Sequence, residues 1–170
     1  EKYDRAAPKG VGNAKVAGNY AAGLLGDKDA KKKGFSTCLY LDSAEHKYID
    51  EFSASNFFAI SKDKKTYITS NSAAALPSIT NDALQTIARD LGMNVEKRPV
   101  PFSEVGTFSE VGACGTAAVI TPVGEIVRGE MTLKFGEMDK PGETLTKLYN
   151  QLTGIQNGVI ADTHGWTVKV

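Results

Sequence analysis

Apolar and polar positions fall into short blocks along this chain, and their spacing predicts helices interleaved with strands. The block "NYAAGLLGDKDAKKKG" reads as a helix with Tyr20, Ala21, Leu24 and Leu25 on its apolar side and a stop at Gly34, although Gly23 and Gly26 weaken it. Its lysine-rich end suits a helix C-terminus, where the dipole favours positive charge. "STCLYLD" reads as a buried strand with Leu39, Tyr40 and Leu41 inside. "KYIDEFSASNFFAIS" gives two strands meeting at Ser53, Ala54 and Ser55, and "DKK" at 63–65 is a polar turn into the strand "TYITS".

The segment "LPSITNDALQTIARDLG" carries the cleanest helical period. Pro77 stops a strand, Thr80 or Asn81 can cap, and Ala83, Leu84, Ile87, Ala88 and Leu91 share a face before Gly92. "NVEKRPVPF" holds Pro99 and Pro101 and predicts an edge or irregular strand. In "EVGACGTAAVITPVGEIV" small residues separate two β-favouring stretches. Pro141 stands near the start of a last helix, with Leu145, Leu148, Tyr149 and Leu152 on one face. With no repeat, low-complexity segment or long linker, residues 1–170 read as one mixed α and β domain.

Composition narrows the function. A chain of 170 residues can bury a sizeable core, and 41% hydrophobic with 24% charged residues is ordinary for a globular protein. The formal net charge is zero, so no global field draws in nucleic acid or an anionic membrane. No apolar run approaches the roughly 20 residues of a membrane span, and the opening "EKYDR" is unlike a signal peptide. Two cysteines, Cys38 and Cys114, and two histidines, His46 and His164, suggest neither a disulfide framework nor a metal site. A cytoplasmic compartment is the expectation.

Four features could carry chemistry, each beside a plainer reading. Lys15 sits among small residues in "GVGNAKVAGNYAA". A desolvated lysine there would be a partly free amine able to form an imine with an aldehyde, whereas the plainer reading is a surface lysine in a glycine-rich turn. The helix start at "LPSIT" offers unpaired amides to an anion, as any helix start does. "CGTAA" can form a turn whose amides and hydroxyl take a phosphate or carboxylate, or simply join two strands. Glu51 is either a buried carboxylate or the outward residue of a strand.

Together, "GNAKVAGNYAA", "LYLD…EHKYIDEFSASNFF", "LPSITNDALQTIARDLG" and "GTAAVITPVGEIV" resemble the branched-chain-amino-acid aminotransferases, enzymes of the fold-type IV pyridoxal-phosphate class. The likeness runs from "RAAP" at residue 5 to Trp166, in family order. It implies the barrel-like large, C-terminal domain of that fold, with the small N-terminal domain expected outside these residues. In such enzymes Lys15 would be the Schiff-base lysine and the base that moves the α-proton to the cofactor's C4′. Tyr20 would hydrogen-bond the cofactor's phenolic oxygen, and Glu51 would pair with the pyridine nitrogen. Leu76 would pack against the ring, and the amides of Ile79 and Thr80 would bind phosphate; Ser78 stands where the family commonly has Gly.

By the same resemblance the Thr116 hydroxyl would reach the phosphate, and the Thr116 and Ala117 amides would face the substrate carboxylate, with Gly115 allowing close approach. The implied reaction is ping-pong transamination of leucine, isoleucine and valine with 2-oxoglutarate, in an enzyme that works as a homodimer. The implied partners are small amino and oxo acids, not nucleic acid or membrane. Two alternatives stay open at this point: another fold-type IV enzyme, such as a D-amino-acid aminotransferase or aminodeoxychorismate lyase, or a non-catalytic fragment.

Overall fold

A computed structural model describes residues 2–137 and 140–168. Helix α1 (Ala17–Lys32) comes first, followed by strands β1 (Leu39–Leu41), β2 (Ile49–Phe52), β3 (Asn56–Ile60) and β4 (Thr66–Ser70). Helix α2 (Ile79–Asp90) crosses over to strand β5 (Asn94–Arg98), which runs parallel to β4 at the sheet edge. A 3-10 turn (Phe102–Thr107), β6 (Glu110–Gly115), β7 (Val119–Pro122), β8 (Glu125–Arg128), β9 (Met131–Lys134) and helix α3 (Glu143–Gln156) complete the order. The main sheet runs β5-β4-β3-β6-β7, with β1–β2 and β8–β9 as separate antiparallel pairs. The mixed α and β fold is therefore as expected, and the proline-bearing segment after Asn94 does begin as an edge strand.

Both faces of the central strand are covered, which is why all five residues of "NFFAI" are buried. Side chains alternate across it. Phe57 and Ala59 join a core with Ile49, Phe52, Val100, Val105 and Val111. Phe58 and Ile60 face the opposite way, towards Leu84 and Ile87 of α2 and Leu145 and Leu148 of α3. Phe58 stacks on Tyr67 with centroids 4.9 Å apart, and the Tyr67 hydroxyl donates to Asn81 Oδ1 at 2.7 Å. Asn81 Nδ2 in turn donates to Thr69 Oγ1 at 2.9 Å, tying the start of α2 to the sheet.

Several local expectations are corrected. Helix α1 is turned inside out: Leu24 and Leu25 are 65% and 59% exposed and Tyr20 is exposed too, while Asn19, Gly23 and Gly26 are buried. Tyr40 explains this, because the tip of its side chain packs against the glycine face and its hydroxyl donates to the Gly23 carbonyl at 3.0 Å. A Cβ at Gly26 would collide with that hydroxyl, so the glycines that weaken the helix are its contact face. Helix α2 is capped by Ser78, whose hydroxyl accepts from the Asn81 amide at 3.1 Å, and neither Thr80 nor Asn81 serves as cap. Leu91 and Tyr149, expected on apolar faces, are exposed at helix margins. Cys38 lies just before β1 and is only partly buried, whereas Cys114 is buried in β6.

Candidate functional site

The cleft forms where four pieces of chain meet: the N-terminal segment with the loop that follows it, the first turn of α1, the β2–β3 connection and the segment ending at Leu76. It holds about 420 Å³ including its open mouth, and Lys15, Tyr20, Glu51 and Leu76 all line it. Only about 50 Å³ of it is open to the centre of a water-sized group, well short of the roughly 300–1,000 Å³ usual for small-molecule sites, so the cleft is shallow in this chain. Ser53, Ala54 and Ser55, the tight link between β2 and β3, line it between the Glu51 and Asn56 walls.

Lys15 rides on a loop that other residues hold in shape. Asn19, buried in the first turn of α1, reaches back and donates through Nδ2 to the carbonyls of Val11 at 2.8 Å and Ala14 at 2.9 Å. Gly12 lets the same loop lie against the Ala74 carbonyl, with which any Cβ at position 12 would collide. Lys15 itself is exposed at the cleft mouth. Of the two readings, this chain shows the exposed lysine in a glycine-rich turn, and the small neighbours serve loop packing. Neither the Lys15 amine nor the Tyr20 hydroxyl makes a hydrogen bond or ion pair among the described residues.

Glu51 is the buried pole of the cleft, 5% exposed. Its Oε2 accepts from the Leu76 amide at 3.2 Å and from Asn56 Nδ2 at 3.1 Å, and Arg5 Nη1 stands 3.1 Å from Oε1. Asn56 also donates to the Leu76 carbonyl at 2.7 Å, fixing that segment beside the carboxylate. Burial pushes the Glu51 carboxyl up to about 7; the Arg5 charge and then the Leu76 amide pull the other way, and neighbouring Asp50 adds to the rise. Asp50 is buried as well, and burial raises it against the opposing pull of its Ser72 hydrogen bond and of Arg5.

The anion-binding candidates lie outside this lining. Ile79 is 89% exposed and Thr80 half-buried at the start of α2, three residues beyond Leu76, where first-turn amides lack intrahelical partners. Ser78 adopts ordinary extended backbone (φ −117°, ψ 121°), so the turn has no need of glycine there. Thr116 and Ala117 are exposed in the β6–β7 turn. A Cβ at Gly115 would meet Ser55 Cβ at 3.8 Å and the Ala54 carbonyl oxygen at 4.0 Å, both ordinary contacts, so neither demands glycine there. Those contacts nevertheless set the turn beside the cleft wall. Among the described residues no group of histidine, cysteine, aspartate and glutamate side chains is arranged to hold a metal ion.

The residues that build the cleft's interior, Arg5, Asn19 and Asn56, carry no local signal in the sequence. Arg5 and Asn56 act across 46 and 5 positions of chain, distances that periodicity cannot connect.

Over residues 1–126 the sequence matches the family described as amino-transferase class IV. The chain belongs to that family. A branched-chain-amino-acid aminotransferase of Haemophilus influenzae is 47% identical over 174 aligned residues, covering 99% of this chain and 50% of the relative. One from Helicobacter pylori is 43% identical, covering 99% and 48%. The chain thus spans about half the length of the curated relatives it matches. Among solved class IV structures, a branched-chain amino acid aminotransferase from Escherichia coli superposes with TM-score 0.83 at 31% identity, over 98% of this chain and 54% of that one. Another, from T.th. and in complex with N-(5'-phosphopyridoxyl)-L-glutamate, gives TM-score 0.84 at 28% identity, over 98% and 53%.

Proposed function

We propose that this chain is the cofactor-lysine domain of a branched-chain-amino-acid transaminase that uses pyridoxal 5'-phosphate. The observation that carries the reading is one cleft lined by an amine and a phenol, both unpartnered among the described residues, and a buried carboxylate: Lys15, Tyr20 and Glu51. This donor set fits the cofactor: a nucleophile for its aldehyde, a partner for its phenolic oxygen and an anion for its ring nitrogen. When bound, pyridoxal phosphate supplies an electron sink for the pair left at the substrate Cα.

The chain's own residues do the rest. Lys15 would hold the cofactor through its amine and would be the base that takes the proton from the substrate Cα. Tyr20 hydrogen-bonds the phenolic oxygen. Glu51, held by Arg5, Asn56 and the Leu76 amide, keeps a proton on the ring nitrogen, because a buried anion stabilises the cation beside it. Leu76 packs on the ring. The amides of Ile79 and Thr80 and the hydroxyl of Thr116 bind phosphate, and the amides of Thr116 and Ala117 orient the substrate carboxylate.

The net reaction exchanges the amino group of leucine, isoleucine or valine for the oxo group of 2-oxoglutarate. The names of the relatives support this substrate class. In this reading residues 1–170 correspond to the C-terminal domain of a cytoplasmic homodimer, and a small N-terminal domain completes the substrate pocket. No described helix is long and apolar enough to cross a membrane.

Adding pyridoxal phosphate to the purified chain, reducing with borohydride and mapping the modified peptide tests the reading. Modification confined to Lys15 is expected. Modification scattered over the exposed lysines, or none, overturns it for this chain.

A further inference from the structure

Glu51 has one more hydrogen-bonding position than the fold uses. An ionised carboxylate offers about four lone-pair sites. The Leu76 amide and Asn56 occupy those of Oε2, and Arg5 Nη1 takes one on Oε1. The remaining site is on Oε1, the oxygen held by the guanidinium, in a side chain that lines the cleft.

Arg5 is itself sequestered, 6% exposed, with Nη2 donating to the Ala74 carbonyl and Nε lacking any hydrogen-bond partner among the described residues. Burying a guanidinium with a donor unmatched is costly, and a buried ion pair is weak evidence for a gain in stability. The arrangement therefore asks for a reason beyond folding. We propose that Arg5 is a positioning residue for Glu51: it fixes Oε1 so that the remaining lone pair can meet the protonated ring nitrogen of bound pyridoxal phosphate, and its charge favours the ionised form of Glu51. The ring-nitrogen half of this role rests on the cofactor reading above.

The surroundings of Glu51 make Arg5 decisive. Asp50, next along β2, opposes the charge. Cys114 on β6 offers a thiol that burial and then the Glu51 charge push up to about 12, so it stays neutral. Lys15 and Tyr20 share the cleft lining, and Asn56 and the Leu76 amide are neutral donors. Arg5 is the largest pull against burial, and even with that pull the carboxyl stands raised at about 7. Without it Glu51 would be a neutral acid near pH 7, presenting an O–H where the ring nitrogen needs an acceptor.

The test is a pH titration of the 170-residue chain carrying 13C at glutamate Cδ, with the Glu51 resonance assigned by its loss in Glu51→Gln. In Arg5→Met the Glu51 midpoint should rise by roughly one to three pH units, and Arg5→Lys should restore part of the difference. An unshifted midpoint in folded Arg5→Met overturns the role of Arg5. If Arg5→Met does not fold, the double variant Arg5→Met/Glu51→Gln decides. Recovered folding there shows that Arg5 serves the Glu51 charge, whereas equal loss shows that it serves only the Ala74 carbonyl and overturns the proposal. Borohydride labelling of the wild-type chain is read separately. Its absence from Lys15 sinks the cofactor reading and the ring-nitrogen half of the proposal, whereas an unshifted Glu51 with normal labelling sinks only the part played by Arg5.

Discussion

Glu51 shows how a single residue can tie stability to pH. Its carboxyl ordinarily titrates near 4.5 and is raised to about 7 in the fold. The folded chain therefore binds this proton more tightly than the unfolded chain does. Stability from this group is intact below about 4.5 and falls as pH rises through the window up to about 7. Glu51→Gln cannot lose that proton, so its unfolding free energy should lack this part of the decline, on the order of 3 kcal/mol at most. Urea unfolding of both proteins at several pH values checks the slope; parallel curves would contradict it.

Among the elements, α2 divides labour between two neighbouring polar residues. Ser78 satisfies a first-turn amide, and Asn81 bridges Tyr67 and Thr69. Ser78→Ala should cost about 1 kcal/mol, whereas Thr80→Ala should stay within about 0.5 kcal/mol, as measured by denaturant midpoints. The sequence could show that a helix begins here, because Pro77 and the apolar period mark it. It pointed to Thr80 or Asn81 as the cap and missed Ser78, since all three have suitable groups and the sheet recruits Asn81. Most strands were legible for a similar reason, because β-favouring runs bounded by turn residues leave few alternatives, but the short strand Met131–Lys134 was missed. Helix α1 was legible in its extent but not in its orientation, because Tyr40 selects the glycine face from outside the helix. The same limit hides Arg5 and Asn56, whose importance lies in what distant chain brings to them. Lys15 and Glu51 stood out from their neighbours with a plainer reading beside each, whereas Tyr20 and the separate roles came only from the resemblance of the surrounding motifs to a family.

For the molecule as a whole, α1 presents Leu24 and Leu25 outward on the side away from Tyr40. Leu24→Lys with Leu25→Lys should leave thermal stability within about 0.5 kcal/mol per site, whereas the same exchange at buried Leu84 and Ile87 should abolish cooperative unfolding. Calorimetry of the two double variants checks which face is interior. The order of the sheet carries a separate consequence. Every residue lining the cleft lies between Arg5 and Leu76, yet β3, on which Asn56 stands, is flanked by β6. Strand β6 begins at Glu110. During synthesis the cleft's parts thus leave the ribosome well before the strand that seals their central support, and β3 waits with one edge unpaired. Such an edge invites pairing with another nascent chain. The speed with which Glu110–Gly115 follows therefore bears on yield as much as on the finished fold.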